Sequence, residues 1–345
     1  MNPMNQKKPL VLITGGAGFI GVNAAAYYIS RGWAVSIFDN FARRGTRDNA
    51  GWLKKCGPVQ ITQGDIRNLA AVGRWVGQKK AGLILHLAAQ VAVTSSVTQP
   101  LDDFEINALG TVNLLESLRK LKRPPLLIYA STNKVYGGME DITVGRRGDR
   151  YEFSHQPNGI SEDSPLDFHS PYGCSKGSAD QYVRDYQRIY GLPTVVFRQS
   201  CIYGPHQHGN EDQGWVAHFM KAALQGSPLT LYGDGRQIRD ILFVDDLIAA
   251  FDRARLRSRH VAGEIYNIGG GPNRTLSLRE LMSWIESRTG RRLVVRKHGW
   301  RPGDQKVYVS DIRKAKRELG WAPKTSVRDG LENLWNWLRI QTRSK

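Results

Sequence analysis

The sequence predicts an α/β protein: a doubly wound parallel sheet carrying a smaller lobe drawn mainly from the C-terminal part of the chain. Three features point there. Short apolar runs alternate with longer helical patterns through the first half, which is how parallel strands joined by crossover helices read. A glycine-rich turn at residues 14–21 couples the first apolar run directly to the first helical pattern. The length of 345 residues allows a large core shared between two lobes.

Residues 10–14, 34–38, 59–63, 82–87, 126–130 and 194–198 are short and aliphatic, and polar or glycine residues bound them. They read as strands buried on both faces. Between them, residues 19–30, 69–78, 102–120 and 175–190 carry helical spacing. The first domain is therefore predicted over 1–198, with segments at about 240–260 and 302–312 returning to it. Residues 199–239 and 261–345 are assigned mainly to the second lobe. No internal repeat or low-complexity linker interrupts the chain. Residues 137–162 are rich in Gly, Arg, Asp and Ser and read as a long surface insertion, a flap near the site. Residues 331–338 form an amphipathic helix whose tryptophans are predicted in the core.

Composition narrows the function classes. Apolar residues make up 41% and charged residues 23%, ordinary for a globular protein. No apolar run approaches the roughly 20 residues of a membrane span. Residues 9–13 run straight into Thr14-Gly15-Gly16 without a small-residue cleavage site, so they read as a strand and not a signal core. Cys56, Cys174 and Cys201 lie far apart without metal-type spacing and read as reduced thiols of a cytoplasmic protein. The net charge is +18, and residues 279–345 alone hold 17 Lys/Arg against 7 Asp/Glu. Such a surface can attract nucleic acid, an anionic membrane or an acidic substrate. No aromatic-interleaved basic motif accompanies it, so no nucleic-acid or membrane partner is predicted. His206, His208, Glu211 and Asp212 lack a fixed scaffold, and no metal is predicted.

Thr14-Gly15-Gly16-Ala17-Gly18-Phe19-Ile20-Gly21 follows a strand and opens a helix. Gly16, Gly18 and Gly21 match the dinucleotide pattern, and Gly15, Gly18 and Gly21 match its wider-spaced variant. Glycines let the backbone turn tightly and approach a pyrophosphate, which then lies at the positive end of the helix. The sheet is thus predicted to be a Rossmann sheet. The second strand ends in Phe38-Asp39-Asn40, where an acid can accept hydrogen bonds from the adenosine ribose and repel a 2′-phosphate. NAD is therefore favoured over NADP, although Arg43 and Arg44 nearby could hold that phosphate. Asp65, followed by Ile66, is placed either to meet the adenine amine or to cap a helix. Leu87-Ala88-Ala89 offers small residues where the cofactor must pass closely.

Tyr172 and Lys176 lie four apart, a spacing that puts both on one helix face. A free tyrosine, with pKa about 10, is a poor base at neutral pH. A lysine ammonium and the nicotinamide charge nearby lower that value, so Tyr172 can take a proton from a sugar hydroxyl as hydride leaves the same carbon. Thr132, at the end of the fifth strand, is predicted to hydrogen-bond the reacting oxygen, with strand capping as its alternative role.

Residues Gly15 to Gly21, Ser131-Thr132-Asn133-Lys134-Val135-Tyr136-Gly137 and Tyr172 to Lys176 resemble the extended short-chain dehydrogenase/reductase family of NAD-dependent epimerases and dehydratases. The likeness runs over nearly the whole chain. Asp39-Asn40-Phe41-Ala42-Arg43-Arg44-Gly45, Asp65-Ile66-Arg67-Asn68, Asp180-Gln181-Tyr182, Asp212-Gln213-Gly214-Trp215 and the string from Asp167 to Gly177 are similar to one branch of it. That branch inverts C2 of a CDP-linked deoxysugar through a transient 2-keto sugar. The resemblance implies Thr132, Tyr172 and Lys176 as catalytic triad, Gly15, Gly18, Phe19, Ile20, Gly21, Asp39, Asn40, Arg43, Asp65, Ile66 and Leu87 to Ala89 around NAD, and Asn133, Ser200 and Gln213 at the substrate. It also implies Arg239 on the nucleotide diphosphate and a homodimer or homotetramer paired through 102–120 and 175–190. Arg301, in Arg301-Pro302-Gly303-Asp304, reads as a second guanidinium suited to phosphate. Asn267 reads as a strand-end structural residue.

The chain departs from the family pattern at 199–205 and in the 137–162 insertion, segments expected to face the sugar. A 4,6-dehydratase of this family carries Asp-Glu after the position of Thr132, where this chain has Asn133 and Lys134. Epimerisation is therefore favoured over dehydration. A non-catalytic NAD-sensing protein is disfavoured by the intact Thr132, Tyr172 and Lys176.

Overall fold

A computed structural model of the protein describes residues 8–301 and 304–343. Seven parallel strands form the central sheet: β1 (Leu10–Thr14), β2 (Ala34–Asp39), β3 (Val59–Gln63), β4 (Leu83–His86), β5 (Leu126–Thr132), β6 (Thr194–Gln199) and β7 (Ile265–Ile268). Their spatial order is β7-β6-β5-β4-β1-β2-β3. The order reverses between β1 and β4, where a parallel sheet leaves a crevice beyond its strand ends. Val11, Leu12, Ile13, Leu83, Ile84 and Leu85 are wholly buried, because helices cover both faces. The six predicted strands are present within two residues. β7 comes from the stretch expected mainly in the second lobe.

Helices α1 (Phe19–Ser30), α2 (Thr46–Cys56), α3 (Leu69–Gly77), α4 (Val93–Thr98), α5 (Pro100–Phe104), α6 (Gly110–Arg119) and α7 (Ser170–Tyr190) pack around the sheet. The helix predicted over 102–120 is instead α5, a π-helical turn at Glu105–Leu109, and α6. At that turn the Asn107 amide donates to Gln90 O (3.0 Å), Asp103 and Ser175 Oγ (both 3.1 Å). α7 starts at Ser170, earlier than predicted, with Pro171 in its first turn, a position that needs no N–H donor. Tyr172 is thereby helical.

The second lobe gathers the helix Trp215–Gln225, the strand pair Leu229–Tyr232 and Val295–His298, and the helices Leu278–Thr289 and Val327–Arg343. Its core includes Phe219, Met220, Leu281, Leu334 and Trp335. The tryptophans of 331–338 pack inward as predicted: Trp335 is buried, and Trp337 packs partly buried against the His206 ring.

Residues 137–162 do not form a flap over the site, and none of them lines the main cavity. They contain a hairpin, Val144–Arg147 with Arg150–Phe153. Val144, Tyr151 and Phe153 pack on Ile238, Val307 and Val309, and Tyr151 N donates to Arg236 O (3.0 Å). Asn267 then ties the segment's end to β7, donating from Nδ2 to Ile160 O (2.9 Å) and from its N–H to Glu162 (2.7 Å). Burying these apolar side chains outweighs the polar composition that predicted a free loop. Asn267 is structural, as read from the sequence.

Candidate active site

One cavity of about 960 Å³ opens at the strand ends and is lined by the residues singled out above for cofactor, catalysis and substrate, except Gly16 and Arg44. Its floor is the glycine turn. Gly15 has φ +66°, and a Cβ there would lie 2.7 Å from Ala88 N. A Cβ on Gly21 would lie 2.4 Å from Gly15 O. These two positions close the turn against β4 and α1. Gly18 caps α1 without a side-chain hydrogen bond, and the first turn holds no acid. The free N–H groups of that turn suit an anion. Phe19 and Ile20 follow in that turn.

Asp39 is buried at the tip of β2. Its carboxylate accepts from Ala17 N (3.0 Å) and Phe41 N (2.8 Å). Burial raises its pKa, and the backbone donors and Arg43 only partly offset that. Asn40 donates to Asp65 (3.1 Å), and the Arg67 hydrogen bonds hold the Asp65 carboxyl down at about 2. Asp65 is not a helix cap: Asn68 caps α3, accepting from Ala71 N. Ile66 is buried beside it. Leu87 and Ala88 N–H both donate to Thr14 Oγ1 (3.2 Å each), fixing the close approach of that loop. A turn that admits no Cβ at Gly15 or Gly21, an uncapped helix start and a buried acid at the next strand tip fit a dinucleotide without a 2′-phosphate. Arg43 reaches across the cavity, where its guanidinium donates to Gln213 of the second lobe.

Thr132, at the end of β5, lines the cavity together with Tyr172 and Lys176 of α7. Thr132 closes β5, and its hydroxyl accepts from Lys134 N (3.2 Å), capping the short turn Asn133–Tyr136. The same side chain lowers the pKa of the Tyr172 phenol and lines the cavity with it, so capping and facing the phenol coexist. Tyr172 is anchored by its N–H to Ser96 Oγ (3.1 Å). Burial pushes its phenol up to about 12, with Thr132 and Arg43 pulling down and Asp103 adding to the rise. Lys176 is buried, donates to Ala130 O (2.6 Å) and lies 4.2 Å from the Tyr129 ring centre. Burial pushes it down to about 7, against the pull of Asp180 and Asp103. The expected lowering of the phenol by Lys176 is absent, because desolvation dominates and the ammonium is turned to Ala130.

Sequence spacing did not reveal the frame behind this pair. Ser175 Oγ donates to Asp103 (2.5 Å). Asp180 accepts from Ser131 (2.6 Å) and is ion-paired with buried Arg198 (3.0 Å). Burial pushes His86 down to about 3, so it is neutral, between Thr14 (2.7 Å) and Thr111 (3.0 Å). These partners lie far apart in the chain, so no local pattern marks them. Beside Thr132 stand an amide and a cation. Asn133 donates to Gln305 Oε1 (3.2 Å), and burial, with Arg239 adding, pushes Lys134 down to about 8.

At the far end Arg239 pairs with Asp304 (2.6 Å). Arg301 lies 3.8 Å over the Tyr232 ring and donates to Glu211 O (3.2 Å). Pro302 and Gly303, expected in its turn, lie outside the described residues. Ser200 lines the cavity, yet its hydroxyl donates to Asp240 O (2.9 Å) and the Asp240 carboxylate. His206 packs its ring 3.9 Å from that of Trp52. Among the described residues no group of three His, Cys, Asp or Glu is arranged around a metal position. No described helix is long and apolar enough to cross a membrane.

Comparison with known proteins places this geometry. The family model described as GDP-mannose 4,6 dehydratase matches residues 12–334. A CDP-paratose 2-epimerase from Salmonella typhi is 42% identical over 332 residues, 95% of this chain and 98% of its own. A UDP-glucuronic acid 4-epimerase from Bacillus cereus, solved with UDP-glucuronic acid and NAD, superposes with a TM-score of 0.83 at 28% identity, covering 96% of this chain and 99% of that one. A dTDP-glucose 4,6-dehydratase from Streptomyces venezuelae, solved with NAD, gives a TM-score of 0.83 at 30% identity over 97% and 98%.

Proposed function

The chain belongs to the extended short-chain dehydrogenase/reductases, matched by the GDP-mannose 4,6 dehydratase family model, and from that premise we propose that it is an NAD-dependent nucleotide-sugar epimerase that inverts C2 of a CDP-linked deoxyhexose. The observation that carries the epimerase reading is the company Thr132 keeps, while C2 and CDP follow the 42% identity to the CDP-paratose 2-epimerase. Tyr172 and Lys176 stand with it as in an alcohol-oxidising site, while Asn133 and Lys134 fill the positions where elimination of water needs an acid and a base.

Bound in the glycine cradle, NAD supplies the acceptor that takes a hydride from the sugar carbon and gives it back. The chain's own groups do the rest. Tyr172 removes the C2 hydroxyl proton while Thr132 holds that oxygen, leaving a flat 2-keto sugar. Arg239 and Arg301 grip the diphosphate as the sugar turns over, and Tyr172 returns its proton when hydride reaches the opposite face. Asp39 excludes a 2′-phosphate. Leu101, Phe104, Tyr182 and Tyr190 are 48–69% exposed on α5 and α7. They support pairing of two copies through these helices in a cytoplasmic dimer or tetramer.

The test is turnover of CDP-, UDP-, GDP- and dTDP-linked sugars in D2O, followed by NMR and mass. A C2 epimer without carbon-bound deuterium is expected, because the same hydride leaves and returns. Deuterium on carbon, loss of water or inversion at C4 would overturn the proposal.

A further inference from the structure

The end of β6 carries a polar side chain that the reading above leaves unused. Thr132 and Gln199 are register partners on β5 and β6, and so are Ser131 and Arg198 one residue earlier. Partnered side chains on parallel strands share a face, and successive residues alternate faces. Ser131 and Arg198 both turn to Asp180 of α7, at 2.6 Å from Ser131 and at 3.0 and 3.1 Å from the guanidinium. Thr132 and Gln199 therefore turn the other way, and both line the cavity.

Gln199 is 7% exposed, and its amide nitrogen is sealed from solvent without a hydrogen-bond partner. Gln207 and Gln237 also line the cavity with one orphaned amide atom each. Both spend their nitrogens on backbone carbonyls, Ile202 O (3.1 Å) and Tyr232 O (2.7 Å), so a structural bond accounts for their placement. No such bond holds the Gln199 nitrogen. Burying an unpaired N–H donor is costly, and native proteins satisfy nearly all such groups. Here the missing acceptor belongs beside the catalytic threonine.

We propose that Gln199 is a specificity residue whose amide nitrogen donates a hydrogen bond to an oxygen of the bound reactants, next to the oxygen held by Thr132. Two oxygens have that chemistry: a sugar hydroxyl neighbouring the reacting carbon, and the carboxamide oxygen of the nicotinamide. The inference rests on the reading that a nucleotide sugar and NAD meet at Thr132.

The experiment compares the wild-type protein with Gln199→Leu and Gln199→Glu by thermal denaturation. It uses the ligand-free protein, the protein with NAD, and the protein with NAD plus CDP or CDP-glucose. Gln199→Leu removes an unpaired donor at similar volume, so the ligand-free Tm is expected to hold or rise while the ligand-induced rise shrinks. A loss seen already with NAD alone places the acceptor on the nicotinamide. A loss seen with CDP-glucose but not with CDP places it on the sugar, with KM raised about tenfold or more. Gln199→Glu, which offers no donor when ionised, should lose the same increment. Ligand-induced shifts equal to wild type in both variants would overturn the proposal, as would a fall in ligand-free Tm as the sole effect. If wild-type protein responds to NAD but to no nucleotide sugar, the functional reading fails and the NAD arm still decides Gln199.

Discussion

Arg239 and Asp304 meet at 2.6 Å at the end of the cavity away from the glycine turn. The guanidinium proposed for the diphosphate is thus already paired with a carboxylate, and a bound diphosphate would have to share it. Arg239→Ala should weaken CDP binding by about 1.5–3 kcal/mol, the range for hydrogen bonds to charged groups. Part of that loss comes from leaving the Asp304 carboxylate facing a phosphate. Asp304→Asn added to Arg239→Ala should therefore recover some affinity, which calorimetric titration of the single and double variants would read. Equal affinities in the single and double variants would mean that Asp304 does not face the diphosphate.

Asp39 serves two masters, accepting from Ala17 N and Phe41 N while lining the cofactor end. Asp39→Ala should weaken NAD binding by about 1–3 kcal/mol. It should also lower the Tm, because two N–H groups lose their acceptor. The ratio of NAD to NADP affinity should fall with it. Tight NADP binding by the wild-type protein would contradict this assignment.

Buried Lys176 gives a stability signature. Its folded value of about 7 lies below its ordinary 10.5. Between those values the unfolded chain binds a proton that the folded protein does not, so this group makes stability rise with pH there. Below about 7 both states are charged and the burial penalty is complete. Lys176→Met should therefore gain most over wild type at pH 6–7. That gain should shrink toward pH 10 by at most about 1.4 kcal/mol per pH unit, while turnover is lost throughout. Parallel denaturant titrations of both proteins from pH 6 to 10 measure it; parallel curves would show that Lys176 titrates normally.

The glycine turn, Asp39, Tyr172 and Lys176 were legible because each depends on local spacing along one strand, turn or helix. The frame behind Tyr172 and Lys176 was not. Ser131, Asp180 and Arg198 converge from three elements, and nothing in sequence spacing marks a buried ion pair. α2 was invisible because only Thr46, Asn49, Ala50 and Leu53 face inward, too mixed a set for an apolar stripe. The hairpin in the insertion did leave a signal, since Gly148-Asp149 separates its two strands, a two-residue hairpin turn of a common type. The apolar run of β5 ends at Ala130, yet pairing with β6 carries the strand on to Thr132. That extension sets the threonine facing Tyr172.

Tyr172 provides the last prediction. Its phenol stands at about 12 because burial outweighs the Thr132 hydrogen bond and the Arg43 charge. The protein's own groups therefore do not make it a base at neutral pH. The remaining lowering falls to the positive charge that NAD brings to the nicotinamide end of the cavity. A ligand that lowers a pKa must displace protons, and its affinity must rise with pH between the bound and free values. NAD binding should thus tighten as pH rises and release a fraction of a proton. Lys176, at about 7, is largely neutral above pH 8.5, so the measurement belongs at pH 8.5–9.5. Calorimetric titrations of NAD in buffers of different ionisation enthalpy count the released protons. Tyr172→Phe should abolish that release and leave NAD affinity at pH 7 nearly unchanged. It should also cut turnover by about 10²–10⁴, the usual worth of a positioned general base. An unchanged proton count, or near-normal turnover in Tyr172→Phe, would remove Tyr172 from the role assigned to it.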